Sequence, residues 1–126
     1  MNPSELKFAK THEWVAVNGS TAIIGISDFA VKELTDVVHL EFPNVGTTVA
    51  AGNTVGEIES VKAVSDLYAP VSGKIVETNA ALQDDLSPLS DDPFGAGWIL
   101  KIEMSNPADL EKLLSYADYQ KECEAH

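Results

Sequence analysis

The sequence predicts a mainly β fold, a small sandwich or barrel of short antiparallel strands with one short helix in the N-terminal third and helices at the C-terminus. Three features point to it. Apolar and polar residues alternate over short runs such as Val37 to Phe42. Gly46, Gly52, Gly56, Pro70 and Gly73 punctuate a series of β-branched runs at sandwich-like spacing. Helical spacing appears only briefly, around Phe29 to Leu34 and after Asn106. At 126 residues and 44% hydrophobic content, the chain buries roughly two-thirds of its unfolded surface, as one domain over 1–126 with one core.

Taken in order, Glu13 to Val17 and Thr21 to Ile26 read as a hairpin with a tight turn at Asn18-Gly19. Ser27-Asp28 offers a helix cap, Phe29, Ala30, Glu33 and Leu34 continue for about two turns, and Thr35-Asp36 ends the helix. In the strand Val37 to Phe42, Val38, Leu40 and Phe42 share one buried face against Val37, His39 and Glu41. Pro43-Asn44-Val45-Gly46 breaks it. Residues 46–79 then form two related hairpin arms, Gly46 to Glu59 leading in and Val64 to Glu77 leading out, with Lys62 between them. Asp84 to Gly97 reads as an ordered surface loop and Trp98 to Met104 as a strand. Asn106 caps and Pro107 starts a helix with Leu110, Leu113 and Leu114 on one face, so that helices occupy about 107–125.

Eight lysines, no arginine and twenty acidic residues set the formal net charge at −12. A phosphate-binding surface needs clustered cations, so nucleic acid is excluded as a partner. The charge favours a monomer that meets basic protein faces rather than anionic membranes. Residues 1–10 have no signal-peptide character, and no stretch approaches the ~20 apolar residues of a membrane span, so a cytoplasmic location is expected. Cys123 is the lone cysteine, so any dithiol chemistry must come from an attached group.

In Glu59-Ser60-Val61-Lys62-Ala63-Val64-Ser65-Asp66, a single lysine stands between two short strands with small or β-branched neighbours. That arrangement pushes the amine outward, where a modifying enzyme and successive partners can reach it. A lysine in a turn is ordinarily just a solvated residue, and the paired arms around this one raise the functional reading. The other candidates are weaker. His12 and His39 lack a second ligand at zinc spacing. Glu57 and Glu59, two apart on one strand face, suit docking better than paired-carboxylate hydrolysis. Gly95-Ala96-Gly97 precedes a strand and reads as a turn, and no serine sits in a nucleophile motif. No intrinsic active site is visible, so a non-catalytic protein is expected.

Several segments together resemble the glycine cleavage system H-protein family over almost the whole chain. They are Thr11-His12-Glu13-Trp14-Val15, Gly25-Ile26-Ser27-Asp28-Phe29-Ala30, Asp36-Val37-Val38 with Glu41-Phe42-Pro43, Glu59-Ser60-Val61-Lys62-Ala63 with Ser65-Asp66 and Pro70-Val71-Ser72-Gly73, and Asp92-Pro93-Phe94-Gly95 with Gly97-Trp98. The chain departs from the family's pattern at Thr35, usually Gly, and at Ser87-Pro88-Leu89-Ser90, where a Leu-Val-Asn run is usual. These departures bear on local loop shape.

The resemblance implies a lipoyl-domain-like, hammerhead-type fold with lipoic acid attached by an amide to Lys62. Glu59, Ser60, Val61 and Ala63 are the attachment-motif neighbours. It further implies a carrier that takes an aminomethyl unit from glycine decarboxylase to the tetrahydrofolate-dependent aminomethyltransferase and its dithiol to dihydrolipoyl dehydrogenase, after modification by a lipoate-attaching enzyme. The positions matching the family's amine-holding carboxylates are Glu13 and Asp66, which would shelter the loaded arm; the alternative makes Glu13 an ordinary exposed strand residue and Asp66 a turn acceptor. Lipoyl domains of 2-oxo acid dehydrogenase complexes and biotin carriers look similar around a displayed lysine, but usually have Asp before it or Met on both sides, against Val61 and Ala63 here. A lipoate relay or regulatory protein, handing lipoyl groups to other lipoyl domains, is the remaining alternative from a different class.

Overall fold

The hairpin read from Glu13 to Ile26 forms as β2 (Glu13–Asn18) and β3 (Thr21–Ile26), paired antiparallel from Glu13 opposite Ile26 to Asn18 opposite Thr21. Its two-residue loop is therefore Gly19-Ser20, one position later than Asn18-Gly19, with Gly19 in the left-handed region that a tight hairpin loop requires. The structure, a computed structural model, describes residues 5–34, 37–61 and 63–124. The remaining elements are β1 (Lys7–Phe8), α1 (Asp28–Leu34), β4 (Val37–Glu41), β5 (Thr48–Val49), β6 (Thr54–Ser60), β7 (Val64–Tyr68), β8 (Gly73–Thr78), α2 (Ala81–Asp84), α3 (Ser87–Asp91), β9 (Leu100–Met104), a 3-10 helix (Pro107–Lys112), β10 (Leu114–Ser115) and α4 (Tyr116–Glu124). The mainly β architecture is as expected, with the short helix after β3 and a helix at the C-terminus.

The strands form two antiparallel sheets, ordered β10-β1-β2-β3-β9-β8-β5 and β4-β6-β7. Side chains from both meet in one large cluster: Val15, Ile24, Ile75 and Ile102 from the wider sheet, Leu40, Ile58 and Leu67 from the narrower, and Ala30, Val31 and Leu34 from α1. A second, smaller cluster of Leu6, Phe8, Trp14, Ala16 and Tyr119 corrects the expectation of one core. Alternation along β2 explains it: Val15 points into the large cluster while Trp14 and Ala16 point the other way, and the C-terminal segment covers them. The two arms of residues 46–79 pair with each other, β5 with β8 and β6 with β7, and are tied further by Gly52 N–H donating to Ala69 C=O at 2.7 Å, Ala69 N–H to Asn53 C=O at 2.8 Å, and Gly46 N–H to Ile75 C=O at 2.7 Å.

Four sequence expectations need correction. In β4 the pairing shifts between Val37 and His39, so Val38 is turned out to solvent instead of sharing a buried face with Leu40 and Phe42. The loop expected over Asp84 to Gly97 contains α3 and is preceded by α2, anchored by buried Leu82 and Leu89, with Pro88 in the first turn of α3. This falls on the segment where the chain departs from the family's pattern. The helix expected from Pro107 through Leu114 is instead a 3-10 helix followed by the extended pair Leu114–Ser115, because Leu114 pairs with Phe8 of β1 and buried Asp109 accepts the Ser72 N–H at 2.9 Å. Asn106 makes no side-chain capping bond. Thr35-Asp36, the expected helix end, and residues 125–126 lie outside the described residues. Among the described residues no helix is long and apolar enough to cross a membrane.

Gly25, opposite Trp14 in the hairpin, leaves the indole its seat: a Cβ there would stand 2.6 Å from three atoms of the ring. Gly25→Ala is therefore expected to lower unfolding free energy by about 1–3 kcal/mol in chemical denaturation, the usual cost of overpacking a core.

Candidate functional site

β6 and β7 run antiparallel up to the pair Glu59 and Val64, and residues 61–63 join them. The join is closed by Ser60. Its N–H donates to the Ala63 carbonyl at 2.8 Å, its hydroxyl donates to the same carbonyl at 3.1 Å, and the Ala63 N–H donates back to the hydroxyl oxygen at 3.1 Å. Ser60 is buried, whereas Val61 and Ala63 are exposed, Val61 at 68%. The attachment-motif neighbours thus form a tied, open-sided turn, and Glu59 is half-buried on the strand leading into it. Lys62 itself lies outside the described residues.

β7 leads from this turn directly to a cavity of about 450 Å³. One wall is α1, through Phe29, Ala30, Glu33 and Leu34; the others come from Thr11, His12 and Glu13 at the start of β2 and from Ser65, Asp66 and Leu67 of β7, with Ile26 and Ile58 beneath. Positions 29, 30, 33 and 34 share one side of a helix because they are spaced by three and four. Glu13 and Asp66, separated by more than fifty residues in sequence, are brought together on this cavity, and Glu33 joins them as a third carboxylate.

Glu13 is 1% exposed, which overturns its reading as an exposed strand residue. It shares the parity of Val15 along β2, and so points toward the interior between the sheets. Its carboxylate accepts the Thr11 hydroxyl through one oxygen and the Tyr68 amide N–H at 3.1 Å through the other. Burial pushes its pKa up to about 7, against the lowering effect of the Thr11 hydroxyl and the Tyr68 amide. Asp66 is exposed at the mouth, with Tyr68 Oη donating to it over a long 3.4 Å. A carboxyl poised near neutrality in a partly apolar cleft is suited to hold a cation: an arriving ammonium favours its ionised form and finds acceptors already fixed.

The sequence did not indicate Thr11, Glu33 or the tying role of the Ser60 hydroxyl. Glu33 was detectable as the position one turn after Phe29 and Ala30 on the apolar side of α1. His39 is exposed, and among the described residues no group of three His, Cys, Asp or Glu could hold a metal. Glu57 and Asp66 face each other across β6 and β7, and Glu41 lies opposite Glu57 on β4, giving a row of exposed carboxylates rather than a hydrolase pair.

Comparison with known proteins gives consistent findings. A family model described as Glycine cleavage H-protein matches residues 6–126. The glycine cleavage system H protein of Carboxydothermus hydrogenoformans is 51% identical over 119 residues, covering 94% of this chain and 92% of its own length. That of Acinetobacter baumannii is 53% identical over 119 residues, covering 94% and 96%. The crystal structure of a glycine cleavage system H protein from Mycobacterium marinum superposes with a TM-score of 0.87 at 38% identity, over 95% of this chain and 97% of that one.

The folded protein holds the Glu13 proton more tightly than the unfolded chain does. The stability this group contributes is therefore full below about pH 4.5 and is lost as pH rises through about 7. The loss amounts to on the order of 3 kcal/mol. Glu13→Gln removes the titration, so the variant is expected to gain on the parent between pH 5 and pH 8 in denaturation midpoints. Parallel pH profiles for the two proteins would show that Glu13 does not carry this proton.

Proposed function

The chain belongs to the glycine cleavage H-protein family, and from that premise we propose that it is a non-catalytic, single-domain carrier on which Lys62 takes lipoic acid as an amide. Its partners on this reading are glycine decarboxylase, the aminomethyltransferase, dihydrolipoyl dehydrogenase and a lipoate-attaching enzyme. The observation that carries the reading is that one strand, β7, joins the Ser60-tied turn to the cleft lined by Glu13 and Asp66.

The residues present fit such a group. Nothing among the exposed neighbours Val61 and Ala63 crowds the turn, and the cleft combines apolar walls from Ile26, Phe29, Ile58 and Leu67 with carboxylates suited to a cationic end. When bound, the lipoyl group supplies a disulfide that accepts a one-carbon amine unit and the electrons that accompany it. The chain's own residues do the rest. Ser60 holds the two ends of the turn together through its bonds to Ala63. Glu13, loosely protonated when the cleft is empty, gives up its proton as an ammonium arrives, and the resulting pair is shielded from water. A charge-assisted hydrogen bond of this kind is worth roughly 1.5–3 kcal/mol, enough to retain the cargo yet release it to a docked enzyme. The row Glu41, Glu57 and Asp66 offers basic partners a docking face beside the turn. Amide formation at Lys62 moves the formal charge from −12 to −13 and strengthens that preference.

Protein made in cells supplied with lipoate is expected to gain one lipoyl amide, located at Lys62 by intact mass and peptide mapping. Lys62→Arg should abolish glycine-dependent methylene-tetrahydrofolate formation in a reconstitution with the three partner enzymes, while changing stability by no more than about 0.5 kcal/mol. Modification at another lysine, or lipoyl transfer to acceptor domains in place of that reconstituted activity, would remove the reading. The double substitution Glu13→Ala with Asp66→Ala should leave lipoylation intact and speed ammonia release from the isolated loaded protein. An unchanged release rate would assign the sheltering to other residues.

A further inference from the structure

Behind the cleft lies a buried polar group with no part in the mechanism above. Tyr119 of α4 is 2% exposed, stacked on Phe8 with centroids 4.6 Å apart and an 11° interplanar angle. Its hydroxyl oxygen stands 2.6 Å from His12 Nδ1 and 2.5 Å from Ser27 Oγ. Burial holds the phenol's pKa above its ordinary value, so the hydroxyl keeps its proton and can donate to one neighbour while accepting from the other. With a neutral imidazole the donors run in one direction: Ala30 N–H to Ser27 Oγ at 3.2 Å, Ser27 O–H to Tyr119, and Tyr119 O–H to His12 Nδ1. Asp28 and Cys123 are the other ionisable groups against the phenol, and Lys32 lines the adjacent hollow.

The two partners of this hydroxyl hold opposite walls of the cleft. His12 precedes Glu13 and has φ of 83°, a left-handed conformation that residues other than glycine adopt only when their surroundings fix it. Ser27 opens α1, its carbonyl accepting the Val31 N–H at 3.1 Å, and α1 supplies Phe29, Ala30, Glu33 and Leu34. The walls also meet directly, through Ser27 N–H to His12 C=O at 2.9 Å and through the His12 and Phe29 rings at 5.3 Å.

We propose that Tyr119 is a positioning residue for the cleft: through its one hydroxyl the C-terminal helix fixes the spacing between Glu13 and the wall formed by α1, and with it the retention of a cationic arm. The retention clause rests on the carrier reading; the positioning clause does not. Tyr119→Phe keeps the stacked ring and removes only the hydroxyl. In the unmodified chain, the Glu13 carboxyl titration followed by NMR should then move toward the ordinary carboxylate range by about one unit or more, as water enters the loosened cleft. In the loaded protein, ammonia release should rise roughly three- to tenfold, the factor expected for one lost hydrogen bond. The rate of lipoylation should not change. Leu114→Ala is the control, since it weakens the same C-terminal segment and leaves the hydroxyl in place. A Tyr119→Phe protein that matches the parent in both titration and release overturns the proposal, as does a Leu114→Ala protein of similar stability that shifts both equally. If Tyr119→Phe has no effect while Glu13→Ala with Asp66→Ala speeds release, the positioning role falls and the carrier reading stands. If the double variant does not speed release, the sheltering reading falls, and the Glu13 titration in the unmodified Tyr119→Phe chain alone decides the positioning role: a shift toward the ordinary carboxylate range supports it and an unshifted titration overturns it.

Discussion

Strand β2 is covered on both faces, and the consequences of that constraint run through the whole molecule. A strand at a protein surface alternates buried and solvated residues, but Glu13, Trp14, Val15 and Ala16 are all buried. Trp14 and Ala16 require a second apolar cluster, which the C-terminal segment supplies through Leu114, Tyr116 and Tyr119. Val15 requires the opposite sheet, and Glu13 in the same phase is carried inside with it. A carboxyl that must be buried needs acceptor sites filled, and Thr11 and the Tyr68 amide fill them. The cleft exists because this is the end of β2 where the apolar filling stops and a polar one begins.

Trp14 secures the other side of the same constraint. Its indole N–H donates to the Pro93 carbonyl at 2.8 Å, and its ring sits over Gly25 and near Phe94. The segment Asp92 to Gly97 is folded by local bonds, with the Ala96 and Gly97 amides both turned onto Asp92. The residues that mark the family in this region thus have a packing reason to be there.

The parts of the fold legible in the sequence were those whose signal is local. Alternation and a glycine turn gave β2 and β3, and a serine before an apolar turn gave α1, whose Ala30 amide does meet the Ser27 hydroxyl. The signal failed where structure is too short to be periodic or is imposed from a distance. β1, α2 and α3 have between two and five residues each, less than the runs over which a period can be read. Leu110, Leu113 and Leu114 have helical spacing, yet the pairing of Leu114 with Phe8 overrides it. For the site, the turn around Lys62 was marked by its own residues and the cleft was not. Glu13 and Asp66 came from resemblance to a family, and the amide that meets the buried Glu13 carboxylate belongs to Tyr68, 55 residues away. The contacts of Tyr119 with Ser27 and His12 span 92 and 107 residues and leave no trace in either local pattern.

The sheet edges have a consequence for self-association. The outer strands of the wider sheet, β5 and β10, are two residues long, too short to template a neighbouring chain. Those of the narrower sheet, β4 and β7, are five residues each and would be the hazard, with exposed Val38 and Val64 along them. Each carries an exposed carboxylate, Glu41 on one and Asp66 on the other, so two copies approaching edge to edge bring like charges into apposition. The same charges that suit this face to basic partners therefore act as gatekeepers against amyloid-like stacking, and neutralising them should cost colloidal stability before it costs the fold.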